Sequence, residues 1–331
     1  MKPAAIVGWT GNGALDDLAR TALAKLPGEV ELTRGARSLM VRGEDPVVVA
    51  RRLAHLPGAS WIAVGYEFDG LESCLSNLAI LAKRYLEEGT SFKVSAEVEE
   101  SEKEEGDVLI EATSTLLKAA KGTHVDEKDP KVWFRVVMVK DVGVCGVQLR
   151  EGDGGVPTSR KTNAVCLISG GYHSAVTAWM AALSGFSLTL VHARDDDESL
   201  RQAARLYAEL SQRMDASSLR LEVLEGKGPP GDRVLAWLEA ARGDVFTGVH
   251  PECRGMAGMG LMRRYPSALF PLLLLQEGEI RARLDDLNIS GKTADRAATL
   301  SASKGKKEKF SVKTFGGREA DQNDVLDSIL G

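Results

Sequence analysis

The sequence predicts an α/β chain, with mixed α+β modules in its first half and a doubly wound sheet of parallel strands in its second. Three observations carry that expectation. Short β-branched or alternating runs recur along the 331 residues with helical patterns between them. Tight turns at Pro27-Gly28 and Pro57-Gly58 fold the first elements back on one another. From residue 162 onward strand and helix patterns alternate, and strands joined through helices pair in parallel.

Residues 1–70 read as strand Ala4–Gly8, helix Leu15–Leu26, strands Val30–Thr33 and Ser38–Val41, helix Pro46–Leu56 and strand Trp61–Tyr66. This βαββαβ order is that of a ferredoxin-like domain. Its first turn, GWTGNG, is not a dinucleotide-binding loop, because Asp16 stands where G-x-G-x-x-G needs its last glycine.

Residues 71–158 form a second mixed module. Leu71, Leu75, Leu78, Ala79, Ala82 and Leu86 make one helical stripe, and Phe92, Val94, Ala96 and Val98 alternate as a strand does. The charge run Glu97–Asp107 reads as a solvated loop. A helix over Val108–Ala120 and strands Val132–Val139 and Val142–Leu149 follow. The loop REGDGGVPTSRKTN is the natural domain boundary and concentrates Arg150, Arg160 and Lys161, which suit either a solubilising linker or phosphate contacts to RNA.

Residues 159–290 give strands Ala164–Ile168, Leu188–Ala193, Leu219–Val223 and Asp244–Val249, separated by helices Ala175–Leu183, Glu198–Met214 and Asp232–Ala241. Ligands of such sheets lie outside the carboxyl ends of the strands. Three polar clusters fall there: Ser169–Ser174, reading SGGYHS; His192 with Arg194–Asp197; and Gly248–Gly255. At SGGYHS a buried strand breaks at two glycines and restarts as a helix. Such a turn leaves backbone amides pointing out of the helix start, a seat for an anion. Gly170 and Gly171 admit close approach, and Ser169 and Ser174 add hydroxyls. Asp195 and Glu198 are placed to frame the next helix as a capping box. Residues 291–331, polar and with Lys304, Lys306, Lys307 and Lys309 clustered, read as a disordered tail.

Composition bounds the partners. A hydrophobic share of 44% and a charged share of 27% are those of a soluble globular protein. No run approaches the roughly 18 to 20 apolar residues of a membrane span, and the N-terminus carries no targeting pattern, so a cytoplasmic protein is expected. The net charge of −5 means that any phosphate partner must be met by a local patch. The four cysteines include no CxxC pair, so no metal centre of that spacing is expected. Cys74, Cys145 and Cys166 fall in apolar patterns, and only Cys253, in HPECRG, lies in a polar loop. The stretch Leu269–Leu275 suits either core or an interface between two copies of the chain, a homodimer.

In this order the chain resembles the tRNA 4-thiouridine synthetase (tRNA sulfurtransferase) family, in a short form without a rhodanese domain. The segment DEKDPKVWFRVVMV resembles the closing strands of a THUMP RNA-binding domain, REGDGGVP its exit loop, and LISGGYHS the S-G-G-x-D-S loop of a PP-loop ATP pyrophosphatase. The resemblance implies a tRNA-binding first half. It implies a second half that adenylates O4 of a uridine with ATP, with Mg2+ as a compatible ion, and lets sulfur from a donor protein replace the activated oxygen. Carried over by position, the nucleotide would meet Leu167, Ile168, Ser169, Gly170, Gly171, Ser174, His192, Ala193 and Gly248.

The chain also departs from the family pattern. His173 replaces the loop aspartate, and GVHPECRGMAG lacks G-E-x-x-G-Q-x-x-S-Q, with Val249 in the glutamate position and the final glutamine falling near Ala257. A run of three carboxylates, Asp195–Asp197, is a conceivable metal replacement, and Cys253, beside His250 and Arg254, a conceivable persulfide carrier. Cys253 and His173 are therefore the catalytic candidates. The alternative is a THUMP-based RNA-binding protein without thiolation activity.

Overall fold

The computed structural model describes residues 1–9, 30–35, 37–43, 45–156, 159–241, 244–248, 268–272, 274–287 and 310–330. They belong to two compact units, Met1–Val156 and Pro157–Gly331. The expected helix over 15–26 lies outside the described residues, as do Cys253 and the lysine cluster 304–309.

In the first unit, strands β1 (Pro3–Trp9), β2 (Glu31–Arg34), β3 (Ser38–Arg42), β4 (Ala59–Asp69), β5 (Ser91–Glu99), β6 (His124–Val125), β7 (Val132–Val139) and β8 (Val142–Glu151) form one sheet. Its order is β2-β3-β1-β4-β8-β7-β5-β6. The two modules expected at 1–70 and 71–158 thus share a single sheet, joined where β4 pairs antiparallel with β8. That pairing demands two glycines, since a Cβ on Gly65 would lie 1.9 Å from the Cys145 carbonyl and one on Gly146 2.7 Å from the Val64 backbone.

Helix α1 (Pro46–Ala54) starts where Asp45 accepts hydrogen bonds from the Val47 and Val48 amides, with proline at its first position. It covers β1 and β3 through Val49, Leu53, Val7 and Leu39. Helices α2 (Gly70–Tyr85) and α3 (Glu105–Ala119) cover β5, β7 and β8 through Cys74, Leu78, Leu116, Phe134 and Cys145. The opposite faces of the two sheet halves meet through Ile6, Met40, Val137 and Val144.

The second unit contains β9 (Ser159–Leu167), β10 (Phe186–Ala193), β11 (Leu219–Gly226), β12 (Asp244–Thr247), β13 (Ala268–Leu269) and β14 (Phe310–Gly316), in the order β13-β12-β9-β10-β11-β14. All neighbours are parallel except β11 and β14. Helices α4 (Tyr172–Leu183), α5 (Asp197–Ser211), α7 (Glu277–Asp286) and α8 (Gln322–Leu330) share one face with Cys166, Leu190 and Leu221. Helix α6 (Pro230–Leu238) covers the other through Val165, Val191 and Leu224. This is the α/β, doubly wound architecture that the alternating pattern predicts. Among the described residues no helix is long and apolar enough to cross a membrane.

Three expectations are corrected. The boundary loop is shorter than 150–163, because β9 starts at Ser159 and Arg160 and Lys161 lie in that strand. Residues 310–330 are ordered: β14 pairs with β11 along Arg220–Gly226, and Phe315, Val325 and Ile329 are buried. The segment reads as polar because a single apolar face suffices for an edge strand and a covering helix. The cap of α5 is Asp196 with Ser199, one residue beyond the expected Asp195 and Glu198.

Candidate functional site

Strand β9 leaves toward β10 on one side, and the chain later returns to β12 on the other, so the strand order reverses between β9 and β12. Such a switch point opens a crevice at the carboxyl ends of the strands, and the SGGYHS turn and Gly248 both stand there. Gly170 has φ +86°, a conformation that favours glycine. Gly171 is the N-cap of α4 and, as glycine, gives the helix start no side-chain cap of its own.

The two serines knit the turn together. Ser169 N–H donates to Ser174 Oγ (3.2 Å), Ser174 Oγ–H donates to the Gly171 carbonyl (2.7 Å), and Gly171 N–H donates to Ser169 Oγ (3.3 Å). The hydroxyls that sequence reasoning offered to a ligand thus set the curvature of the loop. Gly248 closes the turn from the other side. A Cβ there would lie 2.6 Å from the Ser174 amide nitrogen and 2.7 Å from the His173 carbonyl carbon, so only glycine brings the end of β12 this close to α4.

Behind the turn stands His192, 1% exposed. Its Nδ1 lies 3.0 Å from the carbonyl of Ile168, the residue entering the loop. A carbonyl only accepts, so Nδ1 carries the proton and Nε2 faces the Ser199 hydroxyl at 3.3 Å. Burial pushes the His192 pKa down to about 4, against the opposing effect of the Ile168 carbonyl, and the ring is neutral at physiological pH. Ser199 belongs to the Asp196 cap of α5, and a Cβ on Gly170 would lie 3.1 Å from its Cα. Loop, β10 and the start of α5 are therefore one packed assembly, in which the His192 side chain acts as a brace. Leu167 and Ile168 lead into the turn, and Ala193 is 9% exposed at the end of β10.

Helix α7 supplies a residue that sequence reasoning missed. Tyr172 Oη–H donates to Glu277 Oε1, Arg281 Nε–H donates to the same oxygen (2.9 Å), and His173 Nε2 lies 3.3 Å from Glu277 Oε2. Tyr172 and His173 are stacked with centroids 4.1 Å apart, and the Arg281 guanidinium lies 5.2 Å from the Tyr172 centroid. Burial raises the Glu277 carboxyl, but Tyr172, His173 and Arg281 outweigh it and hold its pKa below the usual value. Nothing in the sequence connects positions 173 and 277, which only the packing of α7 on α4 brings together.

Other candidates are placed elsewhere or already engaged. Arg150 donates to Asp153 Oδ1 (3.2 Å), and His55 lies 3.1 Å from Asp153 Oδ2, so this arginine helps fix the turn after β8. Asp197 pairs with Arg194 (2.7 Å), which also holds Glu225 (2.8 Å). The side chains of Arg160 and Lys161, together with Cys253, Val249 and His250, lie outside the described residues. A recess of about 240 Å³, counting the part open to solvent, runs between Gly170, Gly171 and Ser174 on one side and Gln202 and Ala203 of α5 on the other. The enclosed part of it has room for about one water molecule, far short of a nucleotide.

No family model matches the chain. A probable tRNA sulfurtransferase of Bacillus licheniformis is 25% identical over 189 residues, covering 56% of this chain and 47% of that protein. One of Bacillus subtilis is 24% identical over 162 residues, covering 48% and 40%. One of Methanocaldococcus jannaschii is 29% identical over 90 residues, covering 27% and 24%. The matched stretches thus span less than half the length of these curated relatives. Among solved structures, a 4-thiouridine synthetase in complex with RNA and bound ATP aligns at TM-score 0.65 and 15% identity, covering all of this chain and 95% of that one. The PH1313 protein of Pyrococcus horikoshii aligns at TM-score 0.66 and 18% identity, covering 86% and 99%. The chain is related in sequence to probable tRNA sulfurtransferases and shares its fold with these two structures.

Proposed function

We propose that the protein binds tRNA and ATP, adenylates O4 of a uridine with release of pyrophosphate, and lets a donor's sulfide-level sulfur attack C4, with O4 leaving as part of AMP. The observation that carries this reading is the turn from β9 to α4. It combines a left-handed glycine, an N-terminus without a capping side chain, and Gly248 pressed onto the first turn, all at the point where strand order reverses. The partial positive charge of the helix start favours the negative charge that a departing pyrophosphate develops. Bound ATP supplies the adenylyl group. Gly170, Gly171 and the amides of the first turn hold phosphate, while Leu167, Ile168, His192 and Ala193 border the rest of the nucleotide over the strand ends. His192 contributes by bracing Ile168, its ring nitrogens being turned inward. The relatives named for tRNA sulfur transfer and the ATP-bearing complex of the same fold support the assignment of substrate and nucleotide.

Magnesium fits the described residues poorly. Position 173 carries imidazole, both Glu277 oxygens accept hydrogen bonds or face His173, and no three His, Cys, Asp or Glu side chains among the described residues group as a metal site requires. This disagreement favours a second reading, an RNA-binding protein that retains the fold and a phosphate seat without turnover.

Exchange of labelled pyrophosphate into ATP, with and without tRNA, separates the two. tRNA-stimulated exchange that Gly170→Asp abolishes is expected. RNA binding that weakens steeply with salt, in the absence of any exchange, leaves the second reading standing.

A further inference from the structure

The face of α5 that meets the β9–α4 turn begins with Ser199 and continues three, four and seven residues on with Gln202, Ala203 and Leu206, the spacing of one helical face. Beyond the contact between Gly170 and Ser199, the recess lies between Gln202 and Ala203 on one side and Gly170, Gly171 and Ser174 on the other. Gln202 Nε2–H donates to Glu198 Oε1 (2.8 Å) on the exposed side of the helix. A carboxylate only accepts, so this bond fixes which end of the Gln202 amide is which. Its Oε1 is buried and has no hydrogen-bond partner among the described residues. On the turn, the Gly171 N–H and the Ser174 hydroxyl are spent on Ser169 and on the Gly171 carbonyl. The Gly170 N–H and carbonyl, in contrast, have no partner among the described residues. Gly170 thus holds its φ of +86° without a hydrogen bond of its own.

We propose that the recess binds one ordered water, which donates to Gln202 Oε1 and bonds the Gly170 backbone, and that Gln202 is a positioning residue that sets the β9–α4 turn through it. A buried amide oxygen without a donor is costly, and buried polar atoms are as a rule satisfied by protein or by ordered water. Water fits on size, since the enclosed part of the recess has room for about one molecule. It fits on chemistry too, because it donates to an oxygen that can only accept and keeps a second O–H and two lone pairs for the turn. A phosphate oxygen is itself an acceptor and is repelled by Oε1, so the water lies behind the anion seat and not in it. Tied to α5, it anchors the one residue of the turn that the protein's own hydrogen bonds leave unheld. The water site stands on this geometry, whereas the positioning role rests on the nucleotide reading above and adds what keeps the phosphate-binding turn in shape.

The test joins crystallography of the full chain, at a resolution that shows ordered solvent, to isothermal titration with pyrophosphate, ATP and adenosine. Wild-type crystals are expected to hold one water within hydrogen-bond distance of Gln202 Oε1 and of the Gly170 N–H or carbonyl, and Gln202→Met crystals none. Gln202→Met is expected to weaken pyrophosphate about tenfold, the scale of one hydrogen bond, with adenosine affinity and urea midpoint unchanged. Glu198→Ala removes the outer bond of the same amide, leaves the inner one, and is expected to bind as wild type does. A wild-type recess without water, or with a water that touches neither Gln202 nor Gly170, overturns the proposal whether or not any variant folds. Pyrophosphate affinity in Gln202→Met equal to wild type overturns the positioning role, as does an equal loss of adenosine, which would mark a merely structural residue. A loss in Glu198→Ala as large as in Gln202→Met overturns it by tracing the effect to the outer bond. Wild type that binds pyrophosphate over a recess without water sinks this inference alone. Wild type that binds neither pyrophosphate nor ATP sinks the nucleotide reading and the positioning role with it.

Discussion

Glycine does different work in the two units. In the first, Gly65, Gly143 and Gly146 sit within strands, where a Cβ would come within 1.9 to 2.7 Å of a neighbouring backbone atom. They let β4, β7 and β8 lie close together where the two halves of the sheet join. In the second, Gly170 and Gly248 sit beyond strand ends, where a Cβ would meet Ser199 at the start of α5 and Ser174 in the first turn of α4, respectively. The same residue type lets strands pair in an antiparallel junction and lets a loop and a strand end approach helix starts at a parallel switch point. The distinction lies in what the missing Cβ would strike: strands that must pair, or the first turns of α4 and α5.

The sharpest way to break this contrast is to fill both kinds of position. Gly65→Val drives a Cβ into the Cys145 carbonyl, which strand pairing prevents from moving away. Denaturant melts are expected to show a loss above about 4 kcal/mol, the range reserved for severe steric conflict. Gly248→Val strikes Ser174 N and Cα just past the carboxyl end of β12 and is expected to cost ATP affinity first, by about 100-fold, with a smaller loss of stability. Equal stability losses without a specific effect on binding would erase the distinction.

Much of this was legible beforehand, and the exceptions share a cause. Strand β7 was readable over its whole length because Val132–Val139 is apolar and rich in valine apart from Arg135, and α2 because its stripe follows one helical face. The SGGYHS turn was readable because its chemistry is local. Glu277 was not, since its meaning comes from residues 104 and 105 positions away. Segment 310–330 was misread for the same reason: it has too few apolar residues to announce itself, and its order derives from β11 and α5, which it completes. That Ser169 and Ser174 bond within the loop was not readable, because a hydroxyl that shapes a loop and one that serves a ligand look alike in sequence.

The first unit offers a second comparison, between apolar and cationic stitching of its sheet. Arg135 lies between two indoles, 4.2 Å from the Trp61 centroid and 3.7 Å from that of Trp133. It also donates to Gln148 Oε1 through Nε and Nη2 (2.9 and 2.7 Å) and to Ser95 Oγ through Nη1 (2.7 Å). Burial lowers its pKa to about 10, which leaves it cationic at neutral pH. Arg135→Met keeps the bulk and removes the charge and the fork, and should cost about 2 kcal/mol in urea melts. Arg135→Lys should recover little, because an ammonium cannot stack as a plane. Recovery by lysine would show that charge alone matters.

The smallest effect concerns Glu97, 7% exposed at the end of β5. One carboxylate oxygen accepts from Arg37 N–H (2.9 Å) and Ser38 Oγ–H (3.0 Å), tying the two sheet halves together. Burial, the largest influence, nevertheless raises its pKa above 4.5, and the hydrogen bonds from Arg37 and Ser38 only partly offset this. A carboxyl whose folded pKa is raised binds its proton more tightly when folded. Its contribution to stability is therefore fully present below the unfolded pKa and is lost as pH rises through the folded one. Glutamine keeps an oxygen that accepts both hydrogen bonds and carries no charge to bury. Glu97→Gln should thus match or exceed wild type in urea midpoint at pH 8 and lose that advantage by pH 4. A variant less stable than wild type at pH 8 would mean that the charge of Glu97, more than its oxygen, joins the two halves.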